Sequence, residues 1–396
     1  MSDDHDLETL RREVRAWIPK NVPANWRERQ AGDSIESFLE CQREWLGRLV
    51  EAGYATPHWE KEWPGGGRSL AEQVVLFEEL ARGDAPRMSL FFVSLYHAAM
   101  TLMECGSEAQ KAKHLPGILK GDVWVQGFSE PGAGSDLASL KTRAVREGDH
   151  YVVNGQKIWS TLGQFADYCL LLVRTNTEGK KHAGITFLLM DMKTPGIDVR
   201  PIKQITGDEE FAEMFLDNVR IPVENRIGEE NAGWGVAQVT LSSERGLTLV
   251  ELVERLYGSL WRLLEAAARG GARANELDVE DQRRLVDITA RIEALRAMVG
   301  EAMIRKINGA EQIGDASILK LAYARVLRDF TELGLKLEGM RSQRFEMFTL
   351  GAGYETSNWM FDFMNSYQWN IAGGSNEIQR TIVAERMLEL PREKLA

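Results

Sequence analysis

The chain has 396 residues, of which 44% are hydrophobic and 27% charged, and its formal net charge is −11. This length and composition predict a folded protein of two or three packed units. The acidic balance argues against nucleic acid or an anionic membrane surface as the partner.

The cysteines and the N-terminal sequence indicate the cellular compartment of the protein. Cys41, Cys105 and Cys169 lie far apart, which argues against a disulfide framework or a zinc–thiolate site and favours a reducing compartment. The acidic, helix-patterned N-terminus is unlike a signal peptide, and no apolar run has the length of a membrane span. We therefore expect a cytoplasmic protein without a membrane partner.

The first 121 residues are predicted to form an N-terminal helical domain. Apolar residues recur at three- and four-residue spacing in LETLRREVRAWI and IESFLECQREWLGRLVEAG. Ser69 is placed to cap the helix LAEQVVLFEELARG. Residues 88–106 are apolar nearly all round, which predicts a buried helix.

From residue 122 to 222 the apolar period changes to two. VWVQGF, HYVVNGQKIW, YCLLLVRT, GITFLLMDM, IDVRPI and EMFLDNVRIP are typical of short strands, with turns predicted at REGDH and NGQK. No helical segment separates them, so we expect an antiparallel β-domain over 122–232. Helical patterns return over 233–396, and the fold class is therefore α+β.

The segment GFSEPGAGSD (127–136) follows a predicted strand. It is not a dinucleotide-binding fingerprint, because the third glycine of that motif would fall at Leu137. Two interpretations remain: a tight surface turn, or a loop whose backbone N–H groups at Gly132 and Gly134 hold a polar cofactor beside Ser129 and Ser135.

The segment YVVNGQKIWST ends in Trp159, Ser160 and Thr161. A tryptophan here either belongs to the core or stacks on an aromatic cofactor that the neighbouring hydroxyl binds. The six histidines show no metal-binding spacing, and no GxSxG nucleophile motif is present, so neither a metal site nor serine hydrolysis is predicted.

Glu244 lies within a predicted helix over 236–264. Apolar residues share one broad face of that helix, and Glu244, Glu251, Arg255 and Arg262 share the opposite one. Periodicity alone therefore predicts that Glu244 is a solvated surface charge. That prediction fails if the helix is covered on both sides.

Three motifs together resemble the acyl-CoA dehydrogenase family. They are QGFSEPGAGSDLASLKTRAV, YVVNGQKIWST and IAGGSNEIQRTIVAERML, in the family's order and spread over the whole chain. The resemblance implies an N-terminal helical domain, a central β-domain, a C-terminal four-helix bundle, non-covalently bound FAD and a homo-oligomer, usually a tetramer. The implied substrate is an acyl-CoA thioester, and the implied electron acceptor is an electron-transfer flavoprotein.

The resemblance also implies roles for individual residues. The cofactor-binding positions are Gln126, Phe128, Ser129, Trp159, Thr161, Ser375 and Glu377. Among them, Trp159 would cover the flavin and Thr161 would hydrogen-bond its N5. Ser135 matches the serine near the CoA arm.

The position of the catalytic base differs among family members. Many carry a glutamate where this chain has Gly373, which retains only the backbone N–H that binds the thioester carbonyl. Isovaleryl- and long-chain-type members instead carry the base on a helix, immediately before an arginine. The matching pair here is Glu244 and Arg245, so the resemblance predicts Glu244 as the base. Leu247, Thr248 and Tyr367 are candidate lining residues of the acyl pocket.

Part of the family pattern is missing. ARANELDVEDQRRL lacks the Arg-x-x-Phe-Gly motif that contacts FAD from a neighbouring subunit, and FTLGAGYE matches the other cross-subunit motif poorly. Three interpretations stay open beside a homo-oligomeric dehydrogenase: a flavin oxidase or monooxygenase on the same fold, an FAD-binding or non-catalytic partner subunit of a heteromeric dehydrogenase, and a helical interaction module. The last would leave all three motifs unexplained.

Overall fold

The computed structural model describes residues 2–31, 34–243, 247–269, 278–343 and 358–392. Within them the predicted order of helical, β and helical segments is confirmed. The helices are α1 (Ser2–Asn21), α2 (Trp26–Ala31), α3 (Ile35–Glu51), α4 (Leu70–Arg82), α5 (Ala99–Cys105), α6 (Glu108–Leu119), α7 (Gly233–Ser243), α8 (Leu247–Arg269), α9 (Val279–Ile307), α10 (Asp315–Glu338), α11 (Trp359–Ser366) and α12 (Asn376–Ile382). In the described part of the chain, no helix combines the length and apolar character needed to cross a membrane.

The N-terminal helices form where the sequence predicts them. Ser69 caps α4 in a capping box, accepting from the Glu72 N–H at 3.3 Å while the Glu72 carboxylate accepts from the Ser69 N–H at 2.8 Å. The buried segment before α5 begins as a π-helix over Val93–Ala98. Helix α4 packs against both α1 and α8, so it joins the two helical domains.

The central domain is one eight-stranded sheet. Its strands are β1 (Trp124–Gly127), β2 (Arg143–Glu147), β3 (His150–Thr161), β4 (Tyr168–Arg174), β5 (Ile185–Asp191), β6 (Ile197–Ile202), β7 (Phe211–Pro222) and β8 (Arg226–Ile227). The order is β6-β7-β3-β2-β4-β5-β8, with β1 beside β4. Most pairs are antiparallel as predicted, but β4 pairs in parallel with both β1 and β2, so the purely antiparallel prediction was wrong there.

One predicted turn lies inside a strand. Asn154 and Gly155 belong to β3, where the register with β7 shifts between Val153 and Gly155. Two steps of β3 (153–155) oppose three steps of β7 (216–219), so Gly155, at φ +156°, lies opposite a β-bulge of β7 and not in a hairpin. The hairpin occurs at the other predicted turn, where Gly148 has φ +64°.

Both faces of the sheet are covered. Along β4, Leu170 and Leu172 face the core shared with the N-terminal helices, whereas Cys169, Leu171 and Val173 face a second core. This explains why the strand is apolar at consecutive positions.

The C-terminal helices α8, α9 and α10 pack around a third core. Glu254 of α8 links three helices, because its carboxylate accepts from Arg82 of α4 and from Arg296 of α9, both at 2.8 Å.

Helix α8 is covered on both sides, contrary to the periodicity argument. The side chains of Glu251 and Arg255, predicted to be solvated, are only 15% and 2% exposed. Arg262 is exposed as predicted, whereas Trp261, predicted on the apolar face, is 51% exposed. The polar side of this helix therefore faces into the protein between 251 and 255.

Candidate active site

A cavity of about 270 Å³ lies where the three domains meet. Its walls come from the segment 86–96, the adjoining ends of β3 and β7, helices α8 and α10, and the loop 368–373. Thr161 and Gly373, which are far apart in sequence, both line it. The cavity therefore brings together one predicted cofactor-binding residue, Thr161, and the predicted thioester-binding residue, Gly373.

The N-terminal wall is fixed by side chains of α3. Gln42 donates to the Arg87 carbonyl at 2.8 Å and accepts from the Leu90 N–H at 3.1 Å, while Trp45 donates to the Pro86 carbonyl at 2.9 Å. Gln42 and Trp45 are buried, so these bonds are shielded from water. They hold the segment that carries Arg87 against the cavity.

The π-helix shapes the next part of this wall. An extra residue per turn is common near functional sites, and here the element carries Tyr96, which lines the cavity. The following residue, His97, lies 2.8 Å from the side-chain nitrogen of Gln126, and burial lowers the pKa of His97 to about 3. His97 is thus neutral and links the helix to β1.

The end of β3 presents an exposed aromatic ring. The register with β7 shifts again between Lys157 and Ser160, and Trp159 within this bulge has φ +66° and is 55% exposed. Left-handed backbone is uncommon for a bulky residue and accompanies functional sites. The bulge leaves the indole uncovered beside Thr161.

A buried ion pair supports this edge from below. Lys157 donates to the Phe128 carbonyl at 3.1 Å and to Glu130 at 2.9 Å. The Ile158 N–H donates to the Ser129 carbonyl at 3.0 Å. These contacts bring the loop after β1 alongside the end of β3, so Phe128 and Ser129 lie near the tryptophan bulge.

The opposite wall is a glycine loop at the start of α12. Gly373 and Gly374 both have positive φ, of +64° and +85°, and a Cβ at Gly374 would lie 2.8 Å from the Gln379 side chain. Gln379 donates to the Gly373 carbonyl at 2.7 Å. Lys320 of α10 donates to the Gly374 carbonyl at 2.8 Å. The backbone around Gly373 is therefore held from two sides.

Burial shifts the protonation of two groups in the cavity. It raises the pKa of Glu210 to about 7, an effect that Asp208 adds to and Arg87 opposes. It lowers the pKa of Lys320 to about 8. Both groups therefore titrate near neutral pH, the range in which side chains exchange protons with substrates.

The remaining predicted site residues are distributed as follows. Thr248 lines the cavity, and Leu247 and Tyr367 do not. Ser375 caps α12 by accepting from the Ile378 N–H, Glu377 is exposed, and Ser135 is exposed in the loop after β1.

Glu244 and Arg245 lie outside the described residues. Their predicted catalytic roles, like those of the other site residues, stay predictions.

Sequence reasoning missed several residues of the cavity. Arg87, Tyr96, Glu210, Glu251, Arg255, Lys320 and Gln379 all line it. The sequence could have indicated one of them. Lys320 lies on the apolar face of α10 with Tyr323 and Leu327, a face on which a lysine is unusual. Arg87 and Glu210 had none, because only tertiary packing brings them inside.

Three family models match the chain in succession. The acyl-CoA dehydrogenase N-terminal domain matches residues 4–122, the middle domain 126–219 and the C-terminal domain 231–388.

Similar whole proteins are also known. The acyl-CoA dehydrogenase IpdE1 of Mycobacterium tuberculosis is 37% identical over 98% of this chain and 99% of its own length, and IpdE1 of Mycolicibacterium smegmatis is 36% identical with the same coverage. The solved Tcur3481-Tcur3483 steroid ACAD is 32% identical, with a TM-score of 0.84 over 98% of each chain. The ChsE4-ChsE5 complex from Mycobacterium tuberculosis is 31% identical, with a TM-score of 0.81 and the same coverage.

Proposed function

The chain belongs to the acyl-CoA dehydrogenase family, and on that premise we propose that it converts an acyl-CoA thioester to the trans-2-enoyl-CoA. It is an oxidoreductase whose cofactor is FAD. The observation that supports the proposal is the shared cavity, which is lined by Thr161, by Gly373 and by the first turn of α8.

The residues at the β-domain edge fit FAD. The uncovered indole of Trp159 offers a flat surface for the flavin ring, and Thr161 supplies a hydroxyl beside it. Phe128 and Ser129 lie alongside, and Gln126, Ser375 and Glu377 remain the other proposed contacts. When bound, FAD supplies the acceptor for the hydride that leaves the β-carbon.

The glycine loop suits activation of the thioester. Removing the α-proton places negative charge on the carbonyl oxygen, and a fixed N–H aimed at that oxygen stabilises the charge. Gly373 has no side chain, so its backbone N–H is the group proposed for this role. Gln379 and Lys320 keep its backbone in place, and Gln379 also has a buried Oε1 without a partner among the described residues.

A carboxylate must take the α-proton, and we propose Glu244. Helix α8 begins at Leu247, three residues later in the sequence, and Thr248 in its first turn lines the cavity. Two other carboxyl groups of the cavity are rivals. Glu251 is paired with Arg255, and although burial opposes it, Arg255 and Arg87 hold the pKa of Glu251 below its usual value, which makes it a weak base. Glu210 is the stronger rival because its pKa lies near 7.

The experiment is anaerobic reduction of bound FAD by a panel of straight-chain, branched and polycyclic acyl-CoAs. Glu244→Gln is compared with Glu210→Gln, a matched change at a glutamate that lines the cavity. We expect the reduction rate to fall by about a thousandfold or more in Glu244→Gln and by less than about tenfold in Glu210→Gln. The reverse order would make Glu210 the base, and no reduction by any acyl-CoA would refute the proposed reaction.

The electrons are proposed to pass to an electron-transfer flavoprotein, with the acyl-CoA as donor. This is tested by comparing turnover with that acceptor and with oxygen alone. Turnover sustained by oxygen at a similar rate would favour a flavin oxidase or monooxygenase on the same fold.

Assembly is proposed as a homo-oligomer, and a heteromeric dehydrogenase is the second candidate. Two of the similar solved structures carry paired names, Tcur3481-Tcur3483 and ChsE4-ChsE5. The absence of the usual cross-subunit FAD motifs from the sequence also favours the heteromeric candidate. Mass and FAD content of the chain expressed alone decide between them: a homo-oligomer with one FAD per chain excludes the need for a second subunit type, whereas a chain without FAD requires one.

A further inference from the structure

A charged group of three residues lines the cavity: Arg87, Glu251 and Arg255. The Arg255 Nε donates to Glu251 at 2.9 Å, and the Arg87 Nε lies 3.6 Å from the same carboxylate. Arg87 is 19% exposed and the other two less, so the cluster is shielded from bulk solvent and is accessible from the cavity that it lines. Two cations share one carboxylate inside the cavity.

The cluster lies away from the N-terminal end of α8. Thr248 lines the cavity in the first turn of α8, whereas Glu251 and Arg255 line it further along. At 1.5 Å per residue, Thr248 and Arg255 are separated by about 10 Å along the helix axis. If the reacting carbons of a substrate lie near the start of α8, the charges are therefore within reach of its acyl group along the same cavity.

An alkyl chain is a poor match for this end of the cavity. A methyl terminus would displace water from the ion cluster and offer no hydrogen bond in return, which costs free energy. An oxygen acceptor would replace the lost water contacts, and guanidinium groups bind carboxylates with particular strength.

We propose that the acyl group of the substrate ends in an oxygen acceptor, a carboxylate or a ketone, that Arg87 binds. This assignment rests on the proposed dehydrogenation and specifies its substrate class. Glu210 lines the same cavity, and its protonated form supplies a further donor to such an oxygen.

The competing explanation is structural. Arg255 also donates to the Ala85 carbonyl at 2.7 Å, so the cluster ties the N-terminal segment to α8 whatever the substrate is. A purely structural cluster would affect stability and leave the choice between acyl-CoAs unchanged.

The test compares three CoA thioesters of equal chain length: octanoyl-CoA, 7-oxooctanoyl-CoA and the mono-CoA thioester of octanedioic acid. The FAD-loaded enzyme is assayed as wild type, as Arg87→Met, and as Arg262→Met, which removes an exposed cation from the same helix as Arg255. We expect kcat/KM to favour one of the oxygenated substrates by at least about tenfold in wild type and in Arg262→Met. In Arg87→Met that preference is expected to fall below about threefold.

Each outcome decides the question. The better of the two oxygenated substrates shows whether the bound group is a carboxylate or a ketone. An equal or higher kcat/KM for octanoyl-CoA refutes this inference while leaving the dehydrogenation intact, and a preference that persists in Arg87→Met removes the role of Arg87. If no thioester reduces the FAD, the proposed function itself has failed. Should Arg87→Met not fold, Arg87→Lys provides the comparison, because it keeps the charge and loses the planar fork.

Discussion

Replacing Lys320 with methionine tests whether the glycine loop must be held for the reaction. The Lys320 ammonium donates to the Gly374 carbonyl at 2.8 Å and to Asn376 Oδ1 at 2.9 Å. Methionine has a similar length and keeps the packing of α10, but it cannot donate to either acceptor. The loop that carries Gly373 would lose one of its two supports, the other being Gln379.

The magnitude follows from those two bonds. A hydrogen bond from a charged donor contributes about 1.5–3 kcal/mol, and part of that is offset here by the burial that lowers the pKa of Lys320 to about 8. Loss of the two hydrogen bonds from Lys320 is therefore expected to cost about 2 kcal/mol. If all of it appears in the barrier to proton removal, the rate constant for FAD reduction falls by about 30-fold.

The assay is single-turnover reduction of FAD under anaerobic conditions, followed across pH. In wild type the rate is expected to fall as pH rises through about 8, because Lys320 then loses its charge, and Lys320→Met should lack this alkaline limb. The control is Lys336→Met on the same helix, whose partly exposed ammonium pairs with Asp281 and does not line the cavity. A Lys320→Met rate within about threefold of wild type, with the alkaline limb retained, would refute the reasoning.

Two further predictions concern carboxyl groups whose ionisation is opposed by burial. Lys157→Met is expected to lower the free energy of unfolding by about 3–5 kcal/mol in denaturant titrations, because it leaves Glu130 buried without its cation, and Lys157→Met/Glu130→Leu should recover most of the loss. Although burial opposes ionisation, Lys157 holds the folded pKa of Glu130 below its usual value, so this stabilisation is present above the ordinary carboxyl pKa and disappears as pH falls through the folded one. Glu210 has the opposite sign: its pKa is raised to about 7, so folding is penalised as pH rises from the ordinary carboxyl pKa through 7. Glu210→Gln should therefore stabilise the protein more at pH 8 than at pH 5, and an equal effect at both would contradict the shift.

The order of domains was predictable because it depends on local periodicity. Strand β4 carries five consecutive buried residues from Cys169 to Val173, and no helical pattern competes with it. The parallel pairing of β4 with β1 was not predictable, because strand direction depends on where the chain re-enters the sheet. The Asn154–Gly155 pair was misassigned because a glycine with positive φ occurs inside a strand, here opposite a bulge of β7, as well as in a turn.

Residues of the site could be predicted from the sequence only where they belong to a family motif. The family motifs brought attention to Thr161 and Gly373, and the structure places both on one cavity. Periodicity assigned Glu251 and Arg255 to solvent because it reports only the contrast between two faces of a helix. It does not report what covers the polar face, and here that cover is the segment around Arg87, 164 residues earlier than Glu251 in the sequence.

A helix with a polar face turned inward responds to mutation differently from a surface helix. In α8, exchanging a charge at 251 or 255 alters the chemistry of the cavity and breaks the contact with the segment around Arg87, while the apolar face that packs in the bundle is unchanged. The packing of the bundle core and the choice of ligand then depend on different faces of one helix. Such a helix offers a few positions at which substrate selectivity can diverge after gene duplication. Comparing these positions of α8 among relatives with different substrates would show whether they have diverged with selectivity.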